Sequence, residues 1–464
     1  MARYSCGDKD EYGTNVRMVT RKVAKELIMT TRLRFTFCLT VPAFALATLG
    51  LLTMIATTPA AAQTFNVLYK FTGGADGAVP YGGVTVGSRG TLYGTTSFGG
   101  NGGVMGAGIV YQLSQRNSGW VLNPLHEFSE NGVDGYRPNA TVAIASDGVL
   151  YGTTAFGGSA GGGTVFELQP PPTTCKTPIC YWNETLLHAF QGGANDGWEN
   201  YVIDDNEDGG YGNLTLDQAG NIYGTTAAGG PSNLGVVFEL TPSGGGWTID
   251  LLHSFSNNGT EGYQPLFGVI FDPAGNLYGV TEYGTTEDSG GTVFELSPSG
   301  GTWTEDILYD SFGFETFPTT LVRDQSGNLY STTWNGDDYG TIFDLTPSNG
   351  SWTLSTLHNF FSDCLPQPLA MDAAGNFYGT CEVGGRYLYG MVFELTHSGE
   401  SWTLTDIHDF GGDDGYYPLG PVVLDSSGNL YGTATRGGNL SECVEFDYEG
   451  CGVVWEISGL DGRH

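Results

Sequence analysis

The sequence predicts an all-β protein: a seven-bladed β-propeller of four-stranded antiparallel blades, closed by the N-terminal strand pairing into the last blade. Three observations carry this. A tyrosine-led motif, YGTT or a near variant, begins at Tyr93, Tyr151, Tyr223, Tyr278, Tyr330, Tyr378 and Tyr431, with starts 48 to 72 residues apart. That period marks a repeat array. Two more strings recur in step, a VFEL-type run (Val165 to Leu168, Val237 to Leu240, Val293 to Leu296) and an LHxF-type run (Leu125, Leu187, Leu252, Leu357, Ile407). Finally, their phase is offset. The chain opens on an LHxF-type segment at Leu68 and closes on a VFEL-type segment at Val454. A ring explains that permutation, because Phe65 to Phe71 can then cover the open edge beside Val453 to Ile457.

Within one unit the strands follow from turn chemistry. In the fourth unit the expected strands are Pro265 to Phe271, Asn276 to Thr281, Thr292 to Leu296 and Trp303 to Phe312. Asp272, Pro273 and Gly275 supply a tight hairpin between the first two, and Pro298 with Gly300 and Gly301 another between the last two. The D-x-x-G-N turn recurs at Asp217, Asp324, Asp372 and Asp425, and its Asp reads as an Asx-type turn former rather than a repeated catalytic acid. Aromatic and β-branched residues fill the strands, and no helix-period stretch follows residue 62. Residues 63–464 are therefore expected to form one propeller domain.

Residues 1–62 read as a leader and signal peptide. Arg32 and Arg34 precede an apolar run from Phe35 to Ile55, and Pro59 to Ala62 resembles a cleavage site before Gln63. Met29 is an alternative start. Cleavage after Ala62 leaves 46 acidic against 9 basic residues, net −37 with His neutral. Such a field disfavours nucleic acid and anionic membranes. The expected location is secreted, periplasmic or cell-surface, with no membrane span in the mature chain. Six cysteines remain, and their places in the blades predict the disulfides Cys175–Cys180, Cys364–Cys381 and Cys443–Cys451. No CxxC pairs or zinc-spaced histidines offer these cysteines to zinc.

The ordered strings G-N-L-Y-G-T-T, G-x-V-F-E-L-T-P and W-T-x-x-x-L-H-x-F resemble the GloVer tandem repeat of "choice-of-anchor" bacterial surface or secreted proteins, over about residues 65 to 458. The resemblance implies a repeat architecture and export, and brings no catalytic residue. Members typically carry a C-terminal sorting segment. No second apolar run is visible near Asp461 to His464, so no C-terminal anchor is expected.

His126, His188, His253, His358 and His408 fall on the outermost strands, far apart around the rim. Hairpin counting places Ile249 or Asp250, not His253, opposite Glu239. Both the histidines and the VFEL glutamates therefore read as structural, the glutamates satisfied by backbone or water. Asp76-Gly77, Asp134-Gly135, Asp196-Gly197, Glu261-Gly262 and Asp414-Gly415 read as turns. The loops joining strand 4 to 1 and strand 2 to 3 share one face. Its non-repeating residues Arg137, Trp198, Trp334, Arg386 and Arg436 suit a glycan or small polar ligand. An insert containing Asp204, Asn206 and Asp208 ahead of Gly209 fits the start of a calcium loop without the terminal Glu. Nucleophile-elbow, H-E-x-x-H and P-loop motifs are absent. The expected function is an exported, monomeric, non-enzymatic scaffold that binds an extracellular glycan, peptide or partner protein. The alternative is a polysaccharide-acting hydrolase or lyase, with acids converging at the channel mouth.

Overall fold

The computed structural model describes residues 63–460 except 173–179, 199–211, 287–288, 311, 314–315, 336–339, 362–363, 400 and 444–448. The leader and the Asp204–Asp208 loop lie outside the described residues. The described chain forms a ring of seven antiparallel blades, six of four strands and one of five. From axis to rim, the fourth blade runs Ile270–Phe271, Leu277–Val280, Val293–Ser299 and Thr302–Tyr309. The seventh runs Val423–Leu424, Leu430–Ala434, Val453–Ser458 and then Thr64–Lys70. Phe65 pairs with Ile457 and Val67 with Trp455. The two chain ends thus share one sheet, as the phase offset predicts.

The innermost strand is shorter than expected, two residues instead of Pro265 to Phe271. Pro265 cannot donate to a ladder, and the segment ahead of Ile270 converges on its neighbour instead. A Cβ on Gly268 would lie 2.0 Å from the Asn213 carbonyl oxygen of the preceding blade. The outer hairpins are regular, with one shared irregularity. Val237 pairs with His253 but Phe238 with Leu251, so Leu252 is an extra residue. The same shift occurs on all seven outer strands. The LHxF motif is therefore a bulge signature: the bulge redirects the chain, and at Leu125 the extra side chain is fully buried.

Aromatic rings join the blades. The Phe ending each LHxF segment packs against the ring of the next VFEL segment, from Phe128–Phe166 at 5.2 Å to Phe410–Trp455 at 6.0 Å between centroids. Phe71–Tyr111, at 5.3 Å, completes the circle across the chain closure. Most of these pairs are edge-to-face, the favoured geometry for ring quadrupoles. Two predicted disulfides are present, Cys364–Cys381 and Cys443–Cys451, with Cα separations of 5.0 and 5.3 Å. Cys180 is disulfide-bonded as well, and its predicted partner Cys175 lies outside the described residues. Among the described residues no helix is long and apolar enough to cross a membrane.

Candidate functional site

Each letter of the YGTT motif has a separate task. The Tyr223 hydroxyl donates to Glu239 Oε1 at 2.6 Å and lies 3.4 Å from Asp217 Oδ2. Asp217 Oδ1 accepts from the backbone N–H groups of Ala219 and Asn221, both at 2.8 Å, the Asx-type turn expected from D-x-x-G-N. The network recurs at Tyr278, Tyr378 and Tyr431. The VFEL glutamate is thus satisfied by tyrosine on the adjacent strand, which corrects the expected backbone or water partner. Burial, and then the neighbouring Glu167, push the Tyr151 hydroxyl up to about 12. These tyrosines stay neutral donors at physiological pH.

The second letter allows close approach. A Cβ on Gly279 would sit 2.4 Å from Cζ of Phe294, so the stacked ring requires glycine. The two threonines then divide the work. Thr225 Oγ1 donates to the Phe267 carbonyl of the next blade at 2.9 Å, and Thr226 Oγ1 donates to the Ala228 carbonyl in its own loop at 2.7 Å. The first threonine holds the segment that enters the next innermost strand, and that segment forms the wall of the axial channel.

On the face where strand 4 passes to strand 1, this wall opens as a funnel of ≈490 Å³, solvent at its mouth included. All seven blades contribute to it, with Tyr81, Asn139, Asn213, Phe267, Trp334 and Gln367 among the lining residues. No carboxylate belongs to the lining among the described residues. Asn213 Oδ1 accepts from the Thr141 N–H at 3.0 Å and its hydroxyl at 2.6 Å, which leaves the amide nitrogen to donate. Asn139 is fixed by Ser97, whose hydroxyl donates to Oδ1 at 2.6 Å. The backbone just outside the funnel is strained. Val79, Arg137, Gln264 and Tyr417, each directly before a proline, have φ of 54 to 59°. Two backbone bonds clamp each one. For Arg137 these are its N–H to Ala107 O at 2.8 Å and its C=O from Ala155 N–H at 3.1 Å. Four left-handed non-glycine residues at equivalent positions mark a rim held against its local preference.

The structure brings Trp334 alone of the five predicted ligand residues into the funnel lining. Trp334 Nε1 donates to the Pro366 carbonyl at 3.2 Å, and its ring packs on Phe317. Trp198 and Arg436 belong to a crown of short ribbons joining the two loop sets, Arg137 directly follows one of them, and Arg386 lies in a strand 2 to 3 loop with its N–H donating to Asp409 Oδ1 at 2.7 Å. Trp198 pairs with Ala228, as Tyr136 pairs with Phe156 and Tyr416 with Arg436. Arg137 lies over Phe98 at 4.6 Å, Arg436 over Tyr417 at 4.9 Å and Arg386 over Tyr387 at 5.5 Å, within cation–π range. Trp198, Trp334 and Arg436 thus occupy repeat positions whose residue type changes between blades. They are not isolated departures from the repeat.

The histidines have partners that sequence reading missed. His188 Nε2 lies 2.9 Å from Asp196, His253 2.9 Å from Glu261 and His408 3.0 Å from Asp414. These acids are the Asp-Gly and Glu-Gly loop residues that the sequence alone presents as turn formers. Each pair pins the end of an outer strand to the loop that follows it. For His253, burial outweighs the pull of Glu261 and lowers its pKa. Burial opposes ionisation of Asp414, but hydrogen bonds from His408 and the Gly411 N–H prevail and hold its carboxyl below the ordinary range.

Ring, motif and funnel define a seven-bladed repeat propeller. The chain belongs to the Gloeobacter/Verrucomicrobia repeat family, whose model matches residues 52–197, 200–368 and 315–458. No curated protein matches it. Among solved structures it is similar to a streptogramin B lyase, at 13% identity and TM-score 0.52, covering 85% of this chain and 97% of that one. It is also similar to a fungal alcohol oxidase of the AA5 family in complex with copper, at 13% identity and TM-score 0.52, covering 86% and 78%. At that identity the likeness is one of fold alone.

Proposed function

We propose that the chain is an exported, non-enzymatic propeller that binds an extracellular glycan in the axial funnel and on the aromatic crown around it. The observation that carries this is the lining, which combines the amides of Asn139, Asn213 and Gln367 with the rings of Tyr81, Phe267 and Trp334. Amide groups and aromatic platforms suit a neutral, hydroxyl-rich ligand, and among the described residues the lining holds no acid pair for glycosidic chemistry. Export is supported by the leader sequence and by the disulfides, which form in oxidising compartments. The test is a glycan array, followed by thermal-shift measurement on the full chain with Trp334→Ala and Gln367→Ala variants. At least one glycan should raise the melting temperature of wild type and of neither variant. Depolymerisation of a polysaccharide by wild type would favour the hydrolase or lyase reading instead.

A further inference from the structure

Two of the histidine–acid pairs carry a third group that the repeat does not call for. On each outer strand, the residue opposite the VFEL-type leucine points at the preceding blade. It is Ile249, Leu354 and Leu404 in three blades, paired with Leu240, Leu345 and Leu395. In the closing blade it is Phe65, whose ring stacks on His408 at 3.5 Å. In two blades it is a glutamate: Glu305 opposite Leu296, and Glu184 opposite Leu168. Glu305 Oε2 lies 3.7 Å from His253 Nε2, which is itself 2.9 Å from Glu261. In the other seam Glu184 joins His126 and Asp134. In both clusters one ligand atom from each of the three residues lies within 4.8 Å of the others.

A structural role does not account for these glutamates. An apolar side chain fills the same corner elsewhere, and burying a second carboxylate beside the first is unfavourable unless a proton or a cation compensates. The orphaned atoms coincide with them. Glu305 Oε1 is buried with no hydrogen-bond partner, as are His126 Nε2 and Asp134 Oδ1. The His126–Asp134 separation is 3.7 Å, too long for a hydrogen bond. Burial, and then Glu261, push the Glu305 carboxyl up to about 8.

We propose that His253, Glu261 and Glu305, and likewise His126, Asp134 and Glu184, bind a divalent transition-metal ion of the zinc or manganese kind. Each ion would staple one blade's outer strand and following loop to the outer strand of the next. One imidazole nitrogen with two carboxylates is a donor set for such ions, while calcium prefers six to eight oxygens. The test uses the full chain without a histidine tag, stripped with chelator and titrated with Zn²⁺ by calorimetry, with bound metal counted after desalting. Wild type and His188→Gln should each retain two equivalents, Glu305→Gln one, and Glu184→Gln/Glu305→Gln none. Glu305→Ile, which recreates the corner filled by Ile249, should fold and also retain one equivalent. Zinc should raise the melting temperature of wild type but not of the double variant. Absence of zinc uptake by wild type, or two equivalents retained by the double variant, would overturn the proposal.

Discussion

Gly279 shows how a single residue sets a blade's thickness. Its missing side chain is where the Phe294 ring lies, and an added Cβ would meet Cζ at 2.4 Å. Gly279→Ala should therefore destabilise by about 1–3 kcal/mol, as overpacking does, measured by urea unfolding; an unchanged midpoint would contradict the packing account. Glu282 gives a pH-dependent case. Burial raises its carboxyl to about 7 despite a hydrogen bond from Tyr283. With a folded pKa above the unfolded value of 4.5, the folded state holds the extra proton between those limits. Its contribution is fully present below the unfolded value, and is lost as pH rises through about 7. Glu282→Gln should flatten that part of the stability–pH curve. Identical slopes in wild type and variant from pH about 4.5 to 8 would rule this out.

Between residue and ring stand the strands and loops, and here the sequence was unevenly legible. The D-x-x-G-N turns, the hairpins and the offset of Leu68 against Val454 were readable, because turn residues act over three or four positions and the strings recur intact. The His188–Asp196 clamp was not. Its partners stand eight residues apart, and only the bulge at Leu187 decides which way the histidine faces. The crown was obscured for another reason: one ribbon position carries Tyr136, Trp198 or Tyr416 in different blades, so no string repeats. Both disulfides could be placed because the model of a blade brings its strand ends together. Cys364–Cys381 joins the entry to the innermost strand of blade six with the end of the next strand, at a sequence separation of 17. Replacing both cysteines with serine should cost about 3 kcal/mol by the loop-entropy relation. The closure by Cys443–Cys451, at separation 8, should contribute less. Equal losses for the two, measured by denaturant melts of the paired variants, would point away from loop entropy.

For the molecule as a whole, the closing blade and the funnel matter most. Thr64–Lys70 supplies the outer strand against Val453–Ser458, and Phe71 completes the circle of seam aromatics at Tyr111. Deleting residues 63–71 should expose that edge and lower both melting temperature and solubility; a deletion variant that stays monodisperse and melts like wild type would contradict this. The same closure holds Tyr81 and Leu419 on adjoining parts of the funnel wall. The most direct test of the ligand site is therefore a plug. Leu419 is half-buried in that wall, and Leu419→Trp would fill the funnel while leaving the crown and rim untouched. The strongest glycan from the array should be titrated into wild type and Leu419→Trp by calorimetry. The expected result is at least about a tenfold loss of affinity, roughly 1.4 kcal/mol, with an unchanged melting temperature. Equal affinity in the two proteins would place the ligand elsewhere and contradict the account.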